Sequence, residues 1–268
     1  MCIRDRDLAT ASSGKPQHLP VLVAMGRMYR DLGIREQVVE IYAAIAGFTT
    51  EPALLAQAAV ALVDAGATHE GLAVAKRIQT ALLDDAAAYE LLMAHGRALL
   101  DVDPRQAVDR MEEAHEAYPA QRTADGDQRL LEAYLAVGNT ARARALVMDI
   151  ETLVRRSPVD APRLAKAANV WADYLYARGD FRGAADAYAQ AIKADLSGSP
   201  DLPWVQYQRG NALFELADFE ESARLFDTVA ASKVKPWAEQ ASLMAEHVRL
   251  EQRLRGLPVT PRDGVQKG

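Results

Sequence analysis

Five histidines, His18, His69, His95, His115 and His247, are the first residues to test for catalysis or metal binding. None sits in an HExxH or comparable ligand spacing. His69-Glu70 and His115-Glu116 lack the second histidine that a metal would require on the same helix face. His95 falls where a core residue is expected and reads as a packed histidine with one hydrogen bond. The adjacent carboxylates Asp84-Asp85, Glu112-Glu113 and Glu220-Glu221 would point about 100° apart on a helix, which makes them poor acid/base pairs. There is no GxxxxGK[ST] phosphate loop, no GxGxxG after a strand and no GxSxG elbow. The one cysteine, Cys2, lies at the start of the sequence, so no disulfide or thiolate zinc site is possible beyond it. The expectation is a chain that is not an enzyme, with no catalytic residue, no metal and no cofactor.

The residues suited to binding are more suggestive. Tyr176, Trp204, Tyr207 and Phe214 are four aromatics in a chain that is only 6% aromatic, and what gathers them on one face is the family resemblance set out below. Lys166, Asn169, Asp173 and Asn211 are interleaved with them. Rigid apolar anchors beside amide groups suit a protein or peptide ligand. The competing arrangement places the aromatics in the helix-to-helix core or against the C-terminal helix. A net charge of −6 and a pI near 5.5, with no long basic run, argue against a nucleic-acid partner, whose affinity would rest on phosphate neutralisation. No apolar run approaches the length of a membrane-spanning helix.

The elements that would carry these residues recur. Small or apolar residues that open a helix, Val38, Gly71, Ala107, Ala143, Ala184 and Ser222, follow one another at spacings of 33, 36, 36, 41 and 38 residues. Each is preceded by a turn sequence: DLGIRE, DAGATHE, DVDPRQ, AVGNTAR, ARGDFRG and LADFEE. Gly, Asn, Asp and Pro are the residues that turns demand. Apolar residues at helical spacing flank every turn, and no segment alternates as a strand does. The pattern predicts an all-α chain of six helix-turn-helix units. The abundance of alanine suits both helix propensity and close helix approach.

This pattern resembles the tetratricopeptide repeat (TPR) family, whose unit is about 34 residues. Repeats would start near residues 19, 52, 88, 124, 165 and 203. Gly26 and Tyr29, Gly210 and Phe226, and Ala107, Met111, Ala114 and Pro119 match the family's pattern. The fullest copy carries Trp171, Ala172, Leu175, Ala184, Tyr188 and Ala191. His95, Asp127, Gln206, Arg209 and Ser222 depart from it, as do extra residues near 156–164 and 198–201. The resemblance implies an α-solenoid, a right-handed superhelix of about six repeats. Its concave groove would be lined by the first helix of each repeat. Carried over residue by residue, the groove includes Lys166, Asn169, Asp173, Tyr176, Trp204, Tyr207, Asn211, Phe214 and Glu215. Arg27, Arg30 and Asp31 follow from the first repeat, and Ala53, Ala56, Val60, Val63, Leu92 and Leu99 from the next two. Asn169 and Asp173 stand where a carboxylate clamp would want Lys and Asn, and a carboxylate facing a carboxylate repels. Capture of a peptide's C-terminal carboxylate is therefore not expected.

Residues 237–256 read as a capping helix. Trp237, Ala241, Met244, Val248 and also Leu250 would face inward, with Glu239, Glu246, Arg249, Glu251 and Arg253 facing water. Residues 257–268 read as a disordered tail. The opening MCIRDR resembles translated sequencing adapter, so residues 1–6 and the segment to 18 are read as an N-terminal remnant and loop. With the Ala- and Arg-rich usage, this points to a bacterial source. The resemblance implies a non-catalytic protein- or peptide-binding scaffold in a multiprotein assembly. The alternative is a C-terminal accessory part of a longer enzyme or of an envelope or polysaccharide-export protein. Cytoplasm and periplasm both fit.

Overall fold

A computed structural model of the chain describes residues 18–194, 199 and 201–261. Among the described residues there are thirteen α-helices and no strand. They are α1 (Leu19–Asp31), α2 (Arg35–Phe48), α3 (Pro52–Asp64), α4 (Thr68–Ala75), α5 (Asp85–Leu99), α6 (Pro104–Ala117), α7 (Ala124–Ala136), α8 (Thr140–Arg156), α9 (Ala161–Ala177), α10 (Phe181–Ala194), α11 (Leu202–Glu215), α12 (Phe219–Ala231) and α13 (Trp237–Leu254). The chain divides into two compact units, Met1–Arg122 with α1–α6 and Thr123–Gly268 with α7–α13. Within each unit, helices pack in chain order, and first helices also meet: α3 with α5, α7 with α9, and α11 with α13. This is the all-α solenoid arrangement of consecutive helix pairs. The N-terminal reading of residues 1–17 lies outside the described residues.

The helix limits follow from local chemistry. Proline occupies the first turn of α1, α3, α6, α9 and α11, where its missing N–H costs nothing. Side-chain caps open most of the second helices. Asp103 accepts from the Gln106 N–H, Asn139 from Arg142 and Asp180 from Gly183. The turns inside four pairs use a glycine with positive φ: Gly33, Gly66, Gly138 and Gly179. In the last pair, Ala217 takes that place at φ 59°. Its Cβ makes the left-handed conformation costly.

In three pairs the two helices meet through a glycine set against a large residue. A Cβ on Gly26 would come within 2.9 Å of the Tyr42 ring, and one on Gly210 within 2.9 Å of Phe226. In the third pair the contact is Gly96 against Met111, where a Cβ would come within 2.6 Å. This corrects the register expected there. Gly96, not His95, is the close-packed residue, and helix α5 starts at Asp85, with Asp84 as its cap. His95 is only half-buried; burial and the nearby Arg110 and Lys76 charges push its pKa down. Ala56, Leu92 and Leu99, expected to line a groove, are core residues instead.

Three departures from the repeat pattern have clear partners. The second helix of pair two, α4, stops at Ala75. The chain then turns so that Arg77 donates to the carbonyls of Ala46 (2.9 Å) and Thr49 (3.5 Å) at the end of α2. A guanidinium there satisfies carbonyls that the helix leaves open. The extra residues near 156–164 include the first turn of α9 and so supply Arg163. Its Nε and Nη2 both reach Oδ2 of Asp127, at 2.7 and 2.6 Å. Asp127 is fully buried in α7, so the unexpected carboxylate is held by the unexpected insertion. Ser222, another mismatch, is buried and donates to the Gly210 carbonyl at 2.8 Å.

The C-terminal helix corrects two expectations. Arg249 is only 4% exposed, and Leu250 is 49% exposed, the reverse of the reading above. Ala241, Ala245, Val248, Arg249 and Gln252 form the buried face, as the 3.6-residue period requires once Ala241 is inward. Arg249 pairs with Asp227 and donates to the Thr260 carbonyl at 2.9 Å. Gln252 and Thr260 exchange two hydrogen bonds, at 2.8 and 3.0 Å. The part of the tail through Thr260 is therefore pinned to α13, and Thr260 is buried. Residues 262–268 lie outside the described residues.

Replacing Ala217 by Gly is expected to stabilise the chain by about 0.5–1 kcal/mol, because strain relief exceeds the added unfolded-state entropy. A shift of the urea midpoint at constant slope measures it; an unchanged or lower midpoint contradicts the strain argument.

Candidate peptide-binding surface

The eight residues expected to bind lie on α9 and α11, the first helices of the last two pairs. The structure divides them into three groups. The first is a repeated clasp at the turn. Tyr176 meets Phe181 edge-on at 5.3 Å, and Phe214 meets Phe219 edge-on at 5.6 Å. Each pairs the end of a first helix with the opening residue of the second, just after Asp180 or Asp218. These two aromatics thus close the helix pair. Phe214 also lies 5.2 Å from the His247 ring of α13.

The second group is the aromatic cluster with the C-terminal helix. Trp204 packs on Trp237 at 4.6 Å, and Tyr207 lies 5.9 Å from Trp237 and 5.4 Å edge-on from Phe226. All three are half-buried. The two indoles and the phenol join α11 to α13, which is the capping arrangement named above as the competitor of a ligand site. Tyr207 retains a neighbour on the first-helix face: its phenol and Glu215 both act on Tyr176, whose pKa is raised chiefly by burial. Asn211 donates its amide to Gln208 Oε1 at 2.9 Å.

The third group faces a cavity. Lys166 and Asn169 line a space of about 300 Å³, with Gln128 of α7, Ile192 of α10 and Leu202 and Val205 of α11. Lys166 is exposed and pairs with Asp125 of α7, holding that carboxyl below its usual range. Asn169 Oδ1 is sheltered from solvent and has no hydrogen-bond partner. One turn on, Asp173 accepts from the Tyr188 hydroxyl at 2.5 Å. Loss of solvation raises the Asp173 pKa, and the Tyr188 bond opposes that shift. Tyr188 is pushed far above the usual phenol value by burial and by the Asp173 charge.

Sequence reasoning missed a second concavity on the opposite side of α9. About 820 Å³ lies between α8 and α10, floored by Trp171 and Leu175 and edged by Arg144, Met148 and Lys193. Met148 is largely exposed there. Its helix, α8, shows an apolar residue on an otherwise charged face, which is the one sequence signal for this groove. Among the described residues no cluster of His, Cys, Asp and Glu could hold a metal, and no helix is long and apolar enough to cross a membrane.

These features define an all-α protein of stacked helix pairs with a mixed polar and apolar pocket on its first-helix face. No protein-family model matches the chain, and no curated protein sequence does. Among solved structures, the crystal structure of BtubC (BKLC) from P. vanneervenii is similar, with a TM-score of 0.50 at 16% identity. The match covers 100% of this chain and 98% of that one. At this identity the likeness speaks to the fold alone.

Asp173 is expected to titrate above the ordinary carboxylate range, and Tyr188→Phe to move it higher still, since a bond that favours the charged form is lost. The folded chain holds this proton more tightly than the unfolded one. Ionising Asp173 therefore lowers stability as pH rises through the folded-state pKa. Carboxyl-carbon NMR across that range measures both; an unshifted Asp173 in the variant contradicts the assignment.

Proposed function

We propose that the chain is a non-catalytic, TPR-type scaffold that binds a protein or peptide through the first-helix face of its last two helix pairs. The observation that carries this reading is the pocket beside Lys166 and Asn169. A half-buried amide with an unused acceptor, next to a cation and flanked by Val205, Leu202 and Ile192, suits an extended peptide. Rotation of the Asn169 amide would bring its unused acceptor to a ligand backbone N–H, and an apolar side chain would fill the space between α9 and α11. Lys166, shared with Asp125, would favour an acidic residue nearby. Tyr176 and Phe214 keep the pocket's frame rigid rather than acting as anchors. Trp204 and Tyr207 fix the last pair against α13.

Panning a random-peptide display library on the chain is expected to select a common motif with an apolar residue. Asn169→Ala should weaken the selected peptide about tenfold by calorimetry, the loss of one buried hydrogen bond. The same change should leave the melting temperature unchanged or raise it, because an unpartnered acceptor has been removed. Equal binding by Asn169→Ala would exclude this pocket, and failure to select any motif would count against the peptide-binding reading.

A further inference from the structure

The second helices α8 and α10 stand on either side of α9. The chain passes from α8 to α9 through residues 157–160 and from α9 to α10 through residues 178–180, so α8 and α10 run in the same direction. Between them lies the trough of about 820 Å³. Helix α8 lines it at Arg144, Met148, Glu151 and Arg155, and α10 at Gly183, Ala187, Gln190 and Ala194. Both rows step by four, three and four residues, and each extends about 16 Å, three helical turns. Two parallel rows with this step form a slot whose period is that of a third helix. Three of the four α10 residues are Gly or Ala, which lets a backbone approach that wall closely. The floor is apolar: Trp171 and Leu175 are half-buried. The indole is held by stacking on Tyr174 at 5.6 Å, and Arg178 lies 4.9 Å from the Tyr174 ring. Met148, on the α8 wall, is 57% exposed.

An apolar floor is not a by-product of the repeat. The counterpart trough between α10 and α12 has about 450 Å³ and is walled chiefly by charged residues, which pair as Arg209–Glu221 (3.5 Å) and Arg224–Glu220. Such heads are content in water. An uncovered groove with a Trp and a Met on its surface is instead the form of a site that receives an amphipathic helix.

The charges decide which helix fits. Glu151 and Arg155 pair with each other at 2.6 Å, and Asp180 caps Gly183. Among the described residues, exposed Lys193 at one end of the trough, and Arg144 and Asp186 at the other, have no partner. The Lys193 end is also where α8 and α10 both terminate, so their dipoles are negative there. A helix antiparallel to both sets its positive N-terminus at that end. Acidic residues favour a first turn, and there they meet Lys193. We infer that the α8–α10 trough docks an amphipathic helix of another protein, about three turns long, antiparallel to α8 and α10, with an acidic first turn over Lys193. A second copy does not supply it. Of the helices whose outer faces expose several large apolar residues, α1 has no acidic residue in its first turn, and Glu239 of α13 is held by Lys235 at 2.8 Å. The site is separate from the pocket at Asn169, which lies on the opposite side of α9.

Two blocked peptides of about eighteen residues, built of Leu, Ala, Glu and Lys, test this. Both carry leucines stepping by four, three and four; one has Glu in its first turn and Lys in its last, the other the reverse. Titrated into the full chain, the first is expected to shift the Met148 methyl resonance, assigned with Met148→Leu, and to bind at least about tenfold more tightly than the second. Lys193→Glu should erase that preference, and Met148→Glu should abolish binding of both peptides. Both side chains are exposed, so circular dichroism and the melting temperature should stay unchanged. Asn169→Ala should leave the first peptide bound, which separates this site from the pocket above. Equal affinity for the two peptides overturns the inference, as does an unmoved Met148 resonance or a preference that Lys193→Glu leaves intact. Binding that survives Met148→Glu, or is lost in Asn169→Ala, overturns it too. A dimer of the full chain that Met148→Glu dissociates would give the trough to a second copy and so overturn the proposed partner.

Discussion

Four of the described helix pairs depend on a close approach that only a small residue permits. Gly26 under Tyr42, Gly96 under Met111 and Gly210 under Phe226 leave no room for a methyl group without moving a buried ring or thioether. Pair two inverts the arrangement: Gly71, on the second helix, sits against the Ala59 carbonyl and Val63 of the first. In pair five Ala172 and Tyr188 share the core. Because interiors are close-packed, this contact fixes the spacing and rotation of the two helices. The caps and turns then follow, since they must bridge that separation. The polar residues on the outward faces are placed by it as well.

What holds neighbouring pairs to one another is more varied. Alanines allow α9, α10 and α11 to pack closely, and aromatic rings join α11 to α13. Ion pairs tie successive first helices: Arg97 with Asp64, and Lys166 with Asp125. The exposed pairs contribute little to stability in water. They fix where the charged heads stand: Asp125 holds Lys166 at the edge of the α9 cavity. Beside it lie the Asn169 amide and its apolar surroundings. The proposed peptide surface is therefore narrower than the aromatic content suggests.

The six-fold recurrence of turns, and hence the all-α architecture, is legible in the residues. Glycine and aspartate at fixed offsets require left-handed turns and helix caps, and the described turns have them. Where one residue could shift a helix, pattern alone failed. His95 and Gly96 are adjacent, and only the position of Met111 decides which lies inside. Arg249 and Leu250 show the same limit. Leucine is the more apolar, but burial follows the angular position set by Ala241, Ala245 and Val248. The site was partly legible. Lys166 and Asn169 do share a cavity, whereas Trp204 and Tyr207 meet Trp237 and Tyr176 meets Phe181. Spacing within one helix cannot reveal such partners, because they come from elements far along the chain. The pinned tail was unreadable for the same reason: a Pro-containing, polar segment gains its order from Arg249 and Gln252.

The buried Asp127–Arg163 pair bears on fidelity of assembly. Six similar helix pairs offer many near-equivalent ways to dock, and apolar faces rich in alanine discriminate poorly among them. Asp127 is the fully buried carboxylate of α7, and its counterion comes from the first turn of the next pair's leading helix. Any arrangement that places a different helix against α7 strands a desolvated negative charge, at a cost of several kcal/mol. The pair acts as a key between two particular neighbours. It penalises mispairing and exchange of segments between molecules far more than it strengthens the correct fold, and it does so at the first junction of the second unit, where the stacking order of that unit is set.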